Sequence, residues 1–263
     1  MKSGGMSELL LVERQGHICT LTMNRPEKRN SVNPELLDML SDTLARLERE
    51  GGVRVAVLRG AGEEAFSSGF DIGRINERVA GGERSRVHGA AEAIVRAPFP
   101  VIAMVHGFCV GGGLELAVAC DLRFASQDAR LGITPAKLGL VYRPEGLLRF
   151  INILGVAYTK ELFFTGRIIP ASRALEMGLV NHVLPKDELA PFTYAFAEEI
   201  AQNAPLSVGG MKQVINHALN FQRLGEEDRA AVRELILRAA QSRDLQEGQR
   251  AFLEKRKPNF QGE

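Results

Sequence analysis

Between Val101 and Asp121 the chain reads VIAMVHGFCVGGGLELAVACD, and two features of that stretch bear on chemistry. The first is glycine: Gly107, then Gly111, Gly112 and Gly113 ahead of an apolar run from Leu114 to Ala119. Glycine lets the backbone take unusual angles and lets a ligand come close. Where such a triplet opens a helix, the first amides have no internal partner and point outward as donors. The second feature is Glu115, the only charged residue between His106 and Asp121. On a helix it shares a face with Gly112, three positions earlier. A donor for a developing oxyanion beside a lone buried carboxylate is the minimum apparatus for acid–base chemistry next to a carbonyl. The same residues also suit tight helix packing and a core ion pair, so this stretch alone leaves function open. It is not a nucleotide loop, having neither a GxxxxGK[ST] nor a GxGxxG run.

These groups must be held by the elements around them. Val101 to Val105, after Pro98 and Pro100, predicts a buried strand, and Leu114 to Ala119 a buried helix. Upstream, Phe66-Ser67-Ser68-Gly69-Phe70-Asp71 is a second turn able to present a backbone amide at a strand end. Leu9 to Arg14 and Ile18 to Met23 read as a hairpin around Gln15-Gly16-His17. Asn33 caps a helix with Pro34 at its first position and Leu36, Leu37, Leu40, Leu44 and Leu47 on one face, ended by Gly51-Gly52. A strand from Val53 to Leu58 and a helix from about Glu83 to Arg96 lead into the central stretch. Beyond it come a strand at Leu122 to Ala125, the run Leu131-Gly132-Ile133, and the loop Thr134 to Lys137. Short helices are expected at Leu147 to Leu154, Ala157 to Phe164 and Ala171 to Met177, then a strand at Leu179 to Leu184. From Lys186 to Lys257 the pattern is helical, with breaks near Pro205, Gly225 and Arg243. The sum is an α/β core over residues 8–185 and a helical region over 186–263.

Composition narrows the partners. A net charge of +1, with no basic block longer than Lys255-Arg256-Lys257, does not indicate nucleic acid. No apolar run approaches the 18 residues of a membrane span, and the opening MKSGGMS reads as a frayed terminus, not a signal peptide. Cys19, Cys109 and Cys120 lack metal spacing and fit reduced thiols in a cytoplasm. The five histidines are scattered, so no metal site is expected.

Taken together, the motifs resemble the crotonase (enoyl-CoA hydratase/isomerase) superfamily over nearly the whole chain. The matching pieces are Asn24-Arg25-Pro26 with Asn30, FSSGFDI from Phe66, and HGFCVGGGLELAVACD from His106. LFFTGRIIPASRALEMGLVNHV from Leu162 and AFLEKRKPNF from Ala251 complete the set. The resemblance implies a crotonase-like spiral of ββα units with a C-terminal helical trimerisation region, assembled as a homotrimer or hexamer. It implies an acyl-CoA substrate and no metal or redox cofactor. It places the thioester oxygen between the amides of Phe70 and Gly112, a pair that stabilises an enolate; one such donor is typically worth about 3–4 kcal/mol. CoA contacts carry over to Lys28, Arg29 and Asn30, and to Phe252 and Lys255 reaching across from the C-terminal region.

One departure decides the expected reaction. Hydratases of this family carry a second glutamate twenty residues after the first, and here that position is Pro135, in GITPAKLG. Ala136 cannot replace a carboxylate and Lys137 is a weak acid–base substitute. The following loop reads Leu140-Val141-Tyr142-Arg143-Pro144-Glu145-Gly146 in place of the hydratases' glycine-rich loop. Tyr142 matches a pocket tyrosine of the methylmalonyl-CoA decarboxylase branch. Glu145 could supply a carboxylate from a new place, or simply be a surface residue opening a helix. The expected enzyme therefore acts through an oxyanion-stabilised enolate with Glu115 as its acid/base, with isomerase-type chemistry favoured over hydration. The alternatives are a decarboxylase using Tyr142, a non-catalytic CoA-binding or RNA-binding member of the fold, and a serine hydrolase, which lacks a GxSxG elbow.

Overall fold

The computed structural model describes residues 9–71, 86–134, 142 and 144–219, and the separate positions 243, 247, 254, 256, 259 and 261. Two elements set the frame. β1 (Leu10–Gln15) and β2 (Ile18–Met23) form the expected antiparallel hairpin, with Leu10 opposite Met23. Helix α1 (Pro34–Glu50) then starts where the Asn33 side chain accepts the Leu36 amide at 2.9 Å, with all five leucines of its predicted face buried.

From there the chain repeats one motif. β3 (Val55–Gly60) joins a large sheet, β4 (Ala65–Ser67) a small one, and α2 (Arg86–Arg96) follows. β5 (Val101–Val105) and β6 (Phe108–Val110) do the same before α3 (Gly112–Ala119). β7 (Leu122–Ser126) and β8 (Arg130–Gly132) do it again before α4 (Pro144–Thr165). This is the expected spiral of ββα units. β9 (Ile168–Pro170) pairs antiparallel with β8, α5 (Ala171–Glu176) follows, and β10 (His182–Leu184) closes the large sheet beside β7. Among the described residues the sheet orders are β1-β2-β3-β5-β7-β10 and β4-β6-β8-β9.

Several boundaries differ from expectation for local reasons. β3 starts at Val55 and not Val53, because the ladder begins where Ile18 finds its partner. β10 starts at His182 because the amides of Leu179 and Val180 turn back to the Ala174 carbonyl. The two helices expected after Pro144 run together, with Gly155 (φ 71°) as the kink between them. The breaks expected near Gly225 and Arg243 concern segments outside the described residues, apart from Arg243 itself.

The main core lies between the two sheets and helices α1 to α5. The other face of the large sheet is covered by α6 (Lys186–Ala201), whose Leu189, Ala197 and Ala201 pack on Val57, Ile102 and Phe124. Phe124 meets Phe192 and Phe196 edge-on, with ring centroids 5.3 and 5.1 Å apart. Helix α7 (Pro205–Leu219) packs behind α2, where the Lys212 ammonium donates to the Ile94 and Phe99 carbonyls. Close approach of the small sheet to β5 depends on Gly107: its φ is +52°, and a Cβ there would stand 2.0 Å from the Glu64 carbonyl oxygen.

Candidate active site

The first of the two turns is braced by a buried polar bracket. Asn30, in a left-handed conformation (φ 53°), is fully buried. Its side-chain oxygen accepts the Arg25 amide at 3.0 Å, and its nitrogen donates to the Ala61 and Ala65 carbonyls at 2.8 and 2.7 Å. Arg25, also buried, donates to the Ser31 carbonyl at 2.6 Å and to Asp71 at 3.3 Å. The Ser68 amide bonds to Arg29, the Val32 amide to Gly69, and the Asp71 amide to Val32. The turn from Ser67 to Asp71 is thus pinned along its length by residues 25–32.

That pinning aims the Phe70 amide. The Gly69 carbonyl and the Asp71 amide both face Val32, and in an extended chain successive groups alternate sides, so the Phe70 N–H is turned the other way. On that side lies the start of α3. A Cβ built on Gly112 would stand 3.6 Å from the Phe70 nitrogen, and one on Gly69 (φ +97°) would stand 3.5 Å from the Gly112 nitrogen. The two amides expected to hold an oxyanion therefore lie side by side, and glycine is what allows the approach. The Gly111 amide is used by the Gly132 carbonyl at 2.9 Å, whereas Gly112 is the first helical residue, with no carbonyl behind it in the helix.

Glu115 sits one turn into α3, only 4% exposed. The Tyr142 hydroxyl donates to its Oε2. The Tyr142 ring stands edge-on to Phe163, centroids 5.1 Å apart, and Phe163 is packed in turn against Phe150 of α4. Gly146, near the start of α4, makes the space. A Cβ there would strike the Tyr142 ring at 2.7 Å and lie 3.4 Å from Glu115 Oε1. Sequence reasoning passed over Gly146. Its one signal was a glycine within a helix, which costs about 1 kcal/mol against alanine and so calls for a packing reason.

The structure thus brings Glu115, Tyr142, Phe70 and Gly112 together. Of the turn expected to meet CoA, Lys28 and Arg29 are exposed, pairing with Asp71 at 3.5 Å and Glu64 at 3.0 Å. Asn30 has its side chain committed inside the fold. Phe252, Lys255, Pro135, Ala136, Lys137 and the side chain of Glu145 lie outside the described residues. A cleft of about 1670 Å³ between α1, α2, α4 and α7 is a separate feature, lined by none of these four groups.

Nucleophilic alternatives are spent or inert. Ser67 is fully buried, its hydroxyl accepting from the Gly69 amide, and Ser68 donates to the Lys28 carbonyl. All three cysteines are buried and unpaired. Burial pushes the Cys109 thiol far up and that of Cys120 to about 12, so neither supplies a thiolate at neutral pH. Among the described residues no helix is long and apolar enough to cross a membrane.

The model of the enoyl-CoA hydratase/isomerase family matches residues 13–263. The chain belongs to the enoyl-CoA hydratase/isomerase family. It is 33% identical over 254 residues to the short-chain-enoyl-CoA hydratase of Clostridium acetobutylicum, covering 94% of this chain and 95% of that one. It is 34% identical over 261 residues to the (E)-benzylidenesuccinyl-CoA hydratase of Thauera aromatica, covering 95% and 98%. Among solved structures, an enoyl-CoA hydratase of Bacillus anthracis matches with a TM-score of 0.86 at 34% identity, covering 97% of this chain and 100% of that chain. An enzyme of the hydratase/isomerase family acting on acyl-CoA is thus what sequence and fold agree on, and the amide pair beside a buried carboxylate is the arrangement such chemistry needs.

Proposed function

We propose that this enzyme moves protons on an acyl-CoA thioester by a one-base route through an enolate, with Glu115 as the base. The observation that carries the reading is Glu115, buried beside the paired Phe70 and Gly112 amides. In this scheme a carboxylate oxygen of Glu115 takes a proton from the carbon next to the thioester. The C–H electrons move onto the thioester oxygen, where the two amides stabilise them. The same carboxyl then returns the proton at the far end of the allylic system, so one base completes double-bond migration. Water addition needs two jobs on one face, activating water and delivering a proton, and Pro135 offers neither an acidic proton nor a basic lone pair. Losing such a group typically costs about 10²–10⁴ in rate. The hydratase names above belong to those relatives.

A second reading has its own observation: the Tyr142 hydroxyl lies on the catalytic carboxylate, where it could orient the carboxylate of a malonyl-type thioester. Decarboxylation asks less of a base, since loss of carbon dioxide leaves the enolate directly. For either reaction the CoA portion is assigned to Lys28 and Arg29 with Phe252 and Lys255, and the assembly to a trimer or hexamer. An exposed row of Met211, Ile215 and Leu219 along α7 supports association.

The test is a set of parallel assays: crotonyl-CoA hydration, 3-hexenoyl-CoA isomerisation and methylmalonyl-CoA decarboxylation. We expect isomerisation or decarboxylation to exceed hydration. Hydration turnover of hundreds per second would overturn the one-base reading and point to Glu145 as a second carboxylate.

A further inference from the structure

The geometry points to Tyr142 as the residue that keeps water off Glu115 and so sets the ratio of proton migration to water addition; this rests on the reading above. A carboxylate that activates water must offer an oxygen to it. In hydration that oxygen takes a proton from water while the water oxygen bonds to the β-carbon. The double-bond electrons move to the thioester oxygen, and the α-carbon is then protonated. Here Oε2 of Glu115 already accepts the Tyr142 hydroxyl. The phenol ring fills the space beside it and is held by Phe163 at 5.1 Å. The other oxygen lies on the side of Gly146, 3.4 Å from where a Cβ would stand. Oε2 is thus engaged by the phenol with the ring beside it, which restricts the room for a water at that oxygen.

Two residues build this device. Tyr142 supplies the hydroxyl and the bulk, and Gly146 supplies the room, since any side chain there strikes the Tyr142 ring. The ring can lie against the carboxylate only while position 146 has no Cβ. Tyr142 is thus a specificity-determining residue in contact with the base, and Gly146 a positioning residue acting through it.

The experiment measures crotonyl-CoA hydration and 3-hexenoyl-CoA isomerisation in Tyr142→Phe, Tyr142→Ala, Gly146→Ala, the double variant Tyr142→Ala with Gly146→Ala, and Glu115→Gln. Tyr142→Phe keeps the ring contact with Phe163, so the fold should persist. It should lower kcat for isomerisation about tenfold with KM little changed, the worth of one hydrogen bond to a charged group. Tyr142→Ala opens the face to water, and the hydration-to-isomerisation ratio should rise about tenfold or more. Gly146→Ala should change that ratio too, yet add nothing in the Tyr142→Ala background, as expected of residues acting through one contact. An unchanged ratio in both Tyr142 variants, with Glu115→Gln inactive, would overturn the inference and leave the one-base reading standing. Isomerisation surviving in Glu115→Gln would overturn that reading itself, and this inference with it.

Discussion

Helix α3 is eight residues long, and its two ends are built on opposite principles. At its C-terminal end the polar groups around Asp121 and Arg123 are matched within the fold. Arg123 donates to the Cys120 carbonyl at 2.6 Å and to the Leu179 carbonyl at 2.8 Å. Asp121 accepts the Val101 amide at 2.7 Å and pairs with the buried Lys212 at 2.8 Å. At the N-terminal end, side chains are minimal, the Phe70 and Gly112 amides lie close together, and the Glu115 carboxylate accepts the Tyr142 phenol. In the proposed reaction the N-terminal end is the open one, where a substrate oxygen supplies the acceptor, and the C-terminal end is closed within the fold.

Changes at the two ends should therefore read out differently. The largest effect is expected from Glu115→Gln, which should cut turnover on any enoyl-CoA substrate by about 10²–10⁴-fold while leaving the melting temperature close to that of the parent. Turnover retained in full would remove Glu115 from the acid–base role. Gly113→Ala comes next and should affect both properties. The added methyl would stand 2.5 Å from the Ser67 Cβ and 2.9 Å from its carbonyl oxygen, pressing on the turn that carries Phe70. Overpacking of that kind costs about 1–3 kcal/mol. A drop in turnover beyond any loss of folded protein is expected, and normal kinetics would show that the turn yields without moving its amide.

Lys212→Met probes the closed end. It should lower stability by about 1–3 kcal/mol, the cost of stranding the Ile94 and Phe99 carbonyls and the Asp121 carboxylate. Turnover by the folded fraction should change little, because Lys212 bonds to the Ile94 and Phe99 carbonyls and to Asp121, beyond the end of α3 opposite Gly112. Denaturant unfolding beside kinetics at low temperature separates the two. A large fall in kcat with stability intact would contradict the division between the ends.

How much of this was legible in the sequence follows the range of the forces involved. The face of α1 was readable because Leu36 to Leu47 carry a helical period and Asn33-Pro34 a cap. Glycines 111 to 113 with Glu115 marked the site because a lone charge in an apolar run is informative by itself. The small sheet was not readable. β4, β6, β8 and β9 are three residues each, too short for alternation, and exist through pairing across the spiral. The Asn30 bracket was not readable for a like reason: a polar residue in a turn signals a ligand contact and an internal brace equally well, and burial is what shows the brace. The Tyr142–Glu115 contact spans 27 positions and depends on an absent side chain at Gly146, which no local pattern records.

His106 carries the smallest expected effect and tests whether the open end tolerates a mismatched polar group. It follows the end of β5, 6% exposed, and its carbonyl accepts the Phe66 amide, tying the strand ahead of the Ser67–Asp71 turn to the segment ahead of α3. Its buried Nε2 has no hydrogen-bond partner among the described residues. Burial, helped by Arg59 of β3 and Lys186 of α6, holds its pKa below the ordinary 6.5, against the opposing pull of Glu63 and Asp128. The unfolded chain therefore binds this proton more readily than the folded one. The neutral ring's contribution is fully present above pH 6.5 and is lost as pH falls through the window below it. Wild-type protein should lose melting temperature faster than His106→Asn between neutral and mildly acidic pH, the gap closing at neutrality. Parallel melting-temperature profiles for the two proteins across that range would show that His106 takes up its proton equally in the folded and unfolded chain, and that the open end of α3 is no less well matched than the closed one.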